Sequence, residues 1–215
     1  MNFELIIQEE SNKEYYQNLQ MFLNYEYKTK TIYPPRHLIY RALELAPFNN
    51  VKVCMLFMDP YHGGQANGIA VSIDEGVKVP STLRNLLKEL KSDLGIDHSS
   101  NLTGWCTQGV LLLNSILTVQ EKKPLSHSCQ GWERLTDRFI TELSSRGDVC
   151  FMLFGNTAQK KESLIDSTKN CIIKTSHPCG LSAYRTTSPF IGSKCFSRAN
   201  DYLITRNKEP VNWSA

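Results

Sequence analysis

Four short, nearly unbroken apolar runs punctuate the chain: Val51 to Phe57, Gly109 to Leu113, Val149 to Phe154 and Cys171 to Thr175. Each lacks the alternation of a half-exposed strand and is short for a core helix, so each reads as a strand buried on both faces of a parallel sheet. Each also stops at turn or polar residues: Asp59-Pro60, Asn114, Gly155-Asn156 and Ser176-His177-Pro178. Helical stripes lie between the runs. Leu83, Leu86, Leu87, Leu90 and Leu94 follow Pro80-Ser81 at helical spacing, and Trp132, Leu135, Phe139, Ile140 and Leu143 precede the third run. A further helix is expected over Arg36 to Ala46, behind Pro34-Pro35. This alternation predicts an α/β fold, a three-layer sandwich with a central four-stranded parallel sheet flanked by helices.

A chain of 215 residues with 41% hydrophobic and 21% charged residues has enough apolar material for one domain over 1–215, which excludes disorder and fibre. No apolar run approaches the roughly 20 residues of a membrane helix, so no membrane association is expected. The first residues carry Glu4, Glu9 and Glu10 where an export signal would be basic and then apolar, so the protein is expected to be intracellular, cytoplasmic or nuclear. The cysteines, Cys54, Cys106, Cys129, Cys150, Cys171, Cys179 and Cys195, contain no C-x-x-C pair. That argues against a disulfide framework, a zinc knuckle or an iron–sulfur cluster, and for small buried hydrophobes. Charge is unevenly spread: nine basic and three acidic residues fall between Gly155 and Lys208, within a chain of net charge +3. A basic segment of this kind usually serves only solubility, and its commonest specific use is on phosphates.

Ligands of open parallel sheets bind beyond the carboxyl ends of the strands. Asp59, Asn114, Gly155 with Asn156, and His177 are therefore predicted to share one rim. Taken singly, each has an ordinary explanation: a turn, a strand cap, a helix-entry hinge, a hydrogen-bonded residue before a proline. Taken together, an acid, an amide, a glycine turn and an imidazole make a candidate active site.

The stretches Asp59-Pro60-Tyr61-His62, Gly109 to Asn114, Gly155 to Lys161 and His177-Pro178-x-x-Leu181-Ser182-Ala183 resemble, in order and spacing, the family 1 uracil-DNA glycosylases. The resemblance runs from Ile32-Tyr33-Pro34-Pro35 to Pro210-Val211-Asn212-Trp213. It implies hydrolysis of the bond between sugar and uracil in single- or double-stranded DNA, leaving an abasic site, with no metal and no cofactor. Asp59 is then the carboxylate that steadies the sugar cation and orients water, His177 the donor to uracil O2, and His62 a lining of the water site. Asn114 matches uracil O4 and N3–H and opposes cytosine, while Tyr61 walls off the thymine methyl. Leu181 is the wedge that fills the stack when the base flips. Pro80, Ser81, Gly155, Asn156, Pro178 and Ser182 fall where the family grips the DNA backbone. Lys160, Arg185 and Lys194 are candidates for the same task or members of a solvated face. A monomer is expected, with a DNA-mimicking inhibitor protein as a possible partner.

The departures from the family gather at the base pocket. Phe57-Met58 stand where Gly-Gln is usual, the Gly63 to Gly68 loop is one residue short, and Val71 replaces the phenylalanine that stacks on uracil. A backbone N–H contact at Met58 survives such a change. The histidine loop reads Cys179-Gly180 for Ser-Pro. These changes leave three expectations open: a glycosylase of reduced rate, one of altered base specificity, or a DNA-binding relative with vestigial excision that serves as a replication or recombination platform.

Overall fold

In the computed structural model, which describes all 215 residues, the four apolar runs form the four strands of one sheet. The elements in chain order are α1 (Phe3–Ser11), α2 (Glu14–Thr29), β1 (Ile32–Tyr33), α3 (Arg41–Leu45), β2 (Val53–Phe57), α4 (Ser81–Leu94) and α5 (Thr103–Thr107). They continue with β3 (Val110–Asn114), β4 (Val119–Gln120), α6 (Trp132–Arg146), β5 (Cys150–Phe154), α7 (Gly155–Gln159), β6 (Cys171–Thr175) and α8 (Cys195–Thr205). The sheet order is β3-β2-β5-β6, parallel throughout, and β1 pairs with β4 in a separate antiparallel ribbon. The order reverses at β2, so the carboxyl end of β2 lies at the switch point where open sheets place their ligands.

Strand side chains alternate between two cores. Cys54, Leu56, Leu111, Leu113, Phe151 and Leu153 pack with Leu19 and Leu23 of α2 and Trp132 and Phe139 of α6. Val53, Met55, Phe57, Leu112, Met152 and Phe154 pack with Leu83, Leu86 and Leu90 of α4, Trp105 of α5 and Phe196 of α8. Helices on both faces explain why the runs are apolar at every position. Burying each such side chain contributes roughly 1.5–3 kcal/mol. The edge strand β6 departs from the expectation of two buried faces: Lys174 is exposed and pairs with Glu162 at 2.8 Å. A charge there blunts an otherwise pairable edge.

The helix expected over Arg36 to Ala46 is broken into a 3₁₀ turn at Arg36–Leu38 and the short α3. Gly68 explains the break. A Cβ on Gly68 would lie 2.1 Å from the Leu38 carbonyl oxygen, the acceptor that a continuous helix would offer to Ala42. The loop after β2 thus docks against the Arg36 to Leu45 segment, with Arg41 donating to the Asn67 carbonyl at 2.9 Å. All seven cysteines are free; Cys54, Cys106, Cys150 and Cys195 are buried, whereas Cys129 and Cys179 are exposed. No helix is long and apolar enough to cross a membrane.

Candidate active site

The sheet order sets Asn114, Asp59, Gly155 and His177 side by side along one rim, because they end or follow β3, β2, β5 and β6. Asn114 is the last residue of its strand, where the sequence placed it just beyond. Two backbone bonds extend the β2–β3 pairing past the strands: Ser115 N–H to Phe57 O and Ile116 N–H to Met58 O, both at 3.0 Å. They hold the Asn114 turn beside the segment that leads into Asp59.

Asp59 is half-buried, and its Oδ2 accepts the Leu125 N–H at 2.8 Å. Burial holds its carboxyl above the usual carboxylate range, while the Leu125 N–H and the nearby His62 pull it back. His177 is also half-buried, and its Nδ1 has no hydrogen-bond partner. Burial pushes its pKa below the ordinary histidine value, so near neutral pH the ring is an uncharged imidazole. Gly155 is what lets it sit there. At φ +82° a side chain is strained, and a Cβ on Gly155 would come within 2.8 Å of the His177 Cβ.

Asn114 is 8% exposed, and its Oδ1 finds no donor within the protein. An orphaned buried amide oxygen is costly, so it marks a place where a ligand N–H fits. Tyr61, Val71 and Asn114 line one cavity of about 20 Å³ with Leu112, Ile69 and Pro60. That is roughly the room of a single water. The Tyr61 hydroxyl donates to the Val71 carbonyl at 3.3 Å. Val71 itself is at φ +57°, an outlying conformation for a β-branched residue. Met58 is half-buried beside Asp59, and the His62 side chain is exposed.

The histidine loop is bonded to itself. Ser182 Oγ donates within reach of the carbonyls of Cys179, at 2.6 Å, and His177, at 3.0 Å, while Ser176 Oγ meets the Ser182 carbonyl at 2.5 Å. These bonds leave Leu181 at the tip, 69% exposed. Asn85 of α4 ties the loop down: its amide donates to the Pro178 carbonyl at 2.8 Å and accepts the Tyr184 hydroxyl at 3.1 Å. Pro80 and Ser81 open the same helix, so that turn and the histidine loop share a support. Asn156 is exposed in the first turn of α7, next to Gly155. Asn85, Tyr184 and the Leu125 N–H were not legible in the sequence, since contacts that join residues 93, 99 and 66 positions apart leave no local pattern.

The Uracil DNA glycosylase superfamily matches residues 44–204. A protein of Amoebophilus asiaticus named "Uracil-DNA glycosylase" is 48% identical over 211 residues, covering 96% of this chain and 94% of its own. The solved structure of mimivirus uracil-DNA glycosylase superposes with a TM-score of 0.91 at 26% identity, covering 99% of this chain and 86% of that one. A variant of the mimivirus protein, solved in complex with UGI, gives the same TM-score over 97% of this chain.

Proposed function

This chain belongs to the uracil DNA glycosylase superfamily, and we propose that its rim residues carry out uracil excision as follows. The enzyme hydrolyses the N-glycosidic bond of uracil in DNA and leaves an abasic site, the first step of base excision repair. Bond breaking puts negative charge on the departing uracil and positive charge on the sugar. Asp59 faces the sugar as a carboxylate, steadies that cation and orients the water that adds to it. His177, uncharged, donates its N–H to uracil O2 as the anion forms. A neutral donor suits this task because it strengthens its bond only as charge develops.

Base choice falls to Asn114, whose unpartnered amide accepts uracil N3–H and donates to O4, a pattern that cytosine reverses. That orphaned oxygen is the observation that best supports the reading. Tyr61, fixed by its bond to Val71, closes the C5 side against a methyl group. Met58 contributes its backbone N–H, His62 borders the water, and Val71 gives an apolar face in place of an aromatic one. Such a face recovers only part of the about 1–3 kcal/mol that aromatic stacking contributes.

The DNA lies across Pro80, Ser81, Gly155, Asn156, Pro178 and Ser182, where small residues let phosphates approach backbone amides. Lys160, Arg185 and Lys194 make no ion pair, whereas Lys161, Lys169, Lys174 and Arg206 do. Arg198 and Lys208 of the same segment make none either, so the lack of an ion pair leaves these three available to the strand without singling them out. A DNA-mimicking inhibitor protein would use the same rim, a reading supported by the UGI complex of the mimivirus variant.

Leu181 fills the gap left by the flipped base. Leu181→Ala is expected to slow excision from duplex DNA by roughly tenfold to a hundredfold, since unstacking costs a few kcal/mol per step, and to change single-strand excision by less than about threefold. Single-turnover rates on matched oligonucleotides check this, and equal losses on both substrates would remove Leu181 from the flipping step.

A further inference from the structure

Asp59 is not held by its own loop. The Leu125 N–H that binds it comes from 66 residues further along the chain, in the segment between β4 and α6. Three residues of that segment, Lys122, Leu125 and Cys129, stand at φ of 58°, 59° and 59°. L residues are sterically disfavoured there, so such a segment keeps its shape only when its surroundings impose it. Surface anchors help: Lys122 N–H donates to the His62 carbonyl at 2.9 Å, and Gln120 N–H to Ser126 Oγ at 2.8 Å.

The central anchor is buried. His127, two positions after Leu125, is fully inaccessible, with Nδ1 2.8 Å from Thr118 Oγ1. The same oxygen receives the Trp132 Nε1–H at 2.7 Å. An indole N–H can only donate, so the Thr118 hydroxyl proton is left for His127 Nδ1. The ring proton then sits on Nε2, which faces Glu26 Oε2 at 3.4 Å, an attraction of dipole and charge off the line of a good hydrogen bond. Lys30, just past the end of α2, pairs with the other Glu26 oxygen, and Phe22 packs edge-on to the imidazole at 4.9 Å. Burial favours the neutral ring, against the pull of Glu26.

We propose that His127 is a positioning residue for excision: seated on Thr118 and Glu26, it fixes the Lys122 to Cys129 segment so that the Leu125 N–H stays on Asp59. This role rests on Asp59 being the catalytic carboxylate. Without that N–H, burial is opposed by His62 alone, and Asp59 ionises at higher pH. Activity that needs the carboxylate is present above its pKa and lost as pH falls through it, so the acid limb moves up.

The test is kcat and KM for uracil release from a single-stranded oligonucleotide, from about pH 4 to about pH 9. His127→Ala and Thr118→Val are expected to raise the acid limb of kcat/KM by about one pH unit and to lower kcat, with KM within about twofold. His127→Asn keeps an acceptor for the Thr118 hydroxyl and should recover most of the limb position, and Thr118→Ser should match the parent. A fall in kcat at every pH with the limb unmoved would mean that His127 only stabilises the fold, and the proposal would be overturned. Should His127→Ala fail to fold, the contrast of Thr118→Val with Thr118→Ser decides. If the limb survives unchanged in Asp59→Asn, the carboxylate assignment itself has failed. If it vanishes there yet stays fixed in the His127 and Thr118 variants, only this proposal has.

Discussion

Asp59→Asn and His177→Ala are each expected to cut single-turnover uracil release by about 10²–10³-fold, the range seen when one preorganised electrostatic contact to a transition state is removed. Binding of uracil-containing DNA should change by no more than about threefold, because both groups act on charge that is absent from the ground state. Rapid-quench kinetics and a fluorescence titration separate the two effects. Equal losses in rate and affinity would move both residues from catalysis to simple binding. The pH dependence gives an independent check. Burial raises the Asp59 carboxyl, and the Leu125 N–H and His62 oppose that rise. Excision should therefore fall as pH drops through this pKa, and the limb should vanish in Asp59→Asn. His177, which burial keeps uncharged near neutrality, should add no limb there.

Val71→Phe is expected to change the rate in the other direction, by up to about two orders of magnitude. The upper end follows from the about 1–3 kcal/mol of aromatic stacking, with each 1.36 kcal/mol worth a factor of about ten. Val71 sits at φ +57°, an outlying conformation for a β-branched or a bulky side chain. The cavity of about 20 Å³ behind the Tyr61, Val71 and Asn114 wall works against the exchange. A ring driven inward would overpack and cost about 1–3 kcal/mol of stability, whereas a ring turned outward onto the base would not. Single-turnover excision and thermal melting of Val71→Phe, and of Met58→Gln/Val71→Phe, distinguish these outcomes. Two folded variants with no gain in rate would show that this pocket does not depend on stacking at position 71.

The parts of the molecule that were legible in the sequence are those whose signal is local. Val53 to Phe57 and Cys150 to Phe154 are strands covered by helices on both sides, so every position is apolar and the run announces itself. The residue that ends each run then falls on the rim by geometry alone. Three helices carried a weaker signal. α1 and α2 bury Glu10 and Glu26 among their apolar residues, and buried acids blur a helical stripe. Glu10 is held by the neighbouring Lys13 and Tyr15, and Glu26 by Lys30 and, across the fold, His127. α8 begins where Asp93 of α4 accepts the N–H groups of Phe196 and Ser197, at 3.1 and 2.8 Å. That cap is supplied from outside the helix and leaves no mark at its start. The break in the Arg36 to Ala46 helix was hidden for a related reason, since it depends on the approach of Gly68 from another loop.

The candidate site divides along the same line. Asp59, Asn114, Gly155 and His177 were readable because sheet topology places them, and Tyr61, Val71 and Leu181 because the surrounding motifs resemble the family. The Leu125 N–H and the Asn85 clamp were not, because a main-chain donor has no residue type and a side-chain amide is common on helices. The first binds Asp59, and the second binds the Pro178 carbonyl next to His177.

The measurement that bears most directly on the account is release of uracil itself. Labelled oligonucleotides carrying uracil, cytosine or thymine at one position are incubated with the protein in chelator, and abasic sites are then cleaved. Breaks are expected at uracil alone, with single strands cut at least as fast as duplex because no base pair has to open. Bound DNA that stays intact at enzyme excess over many hours would contradict the account and point to a binding platform on a glycosylase fold.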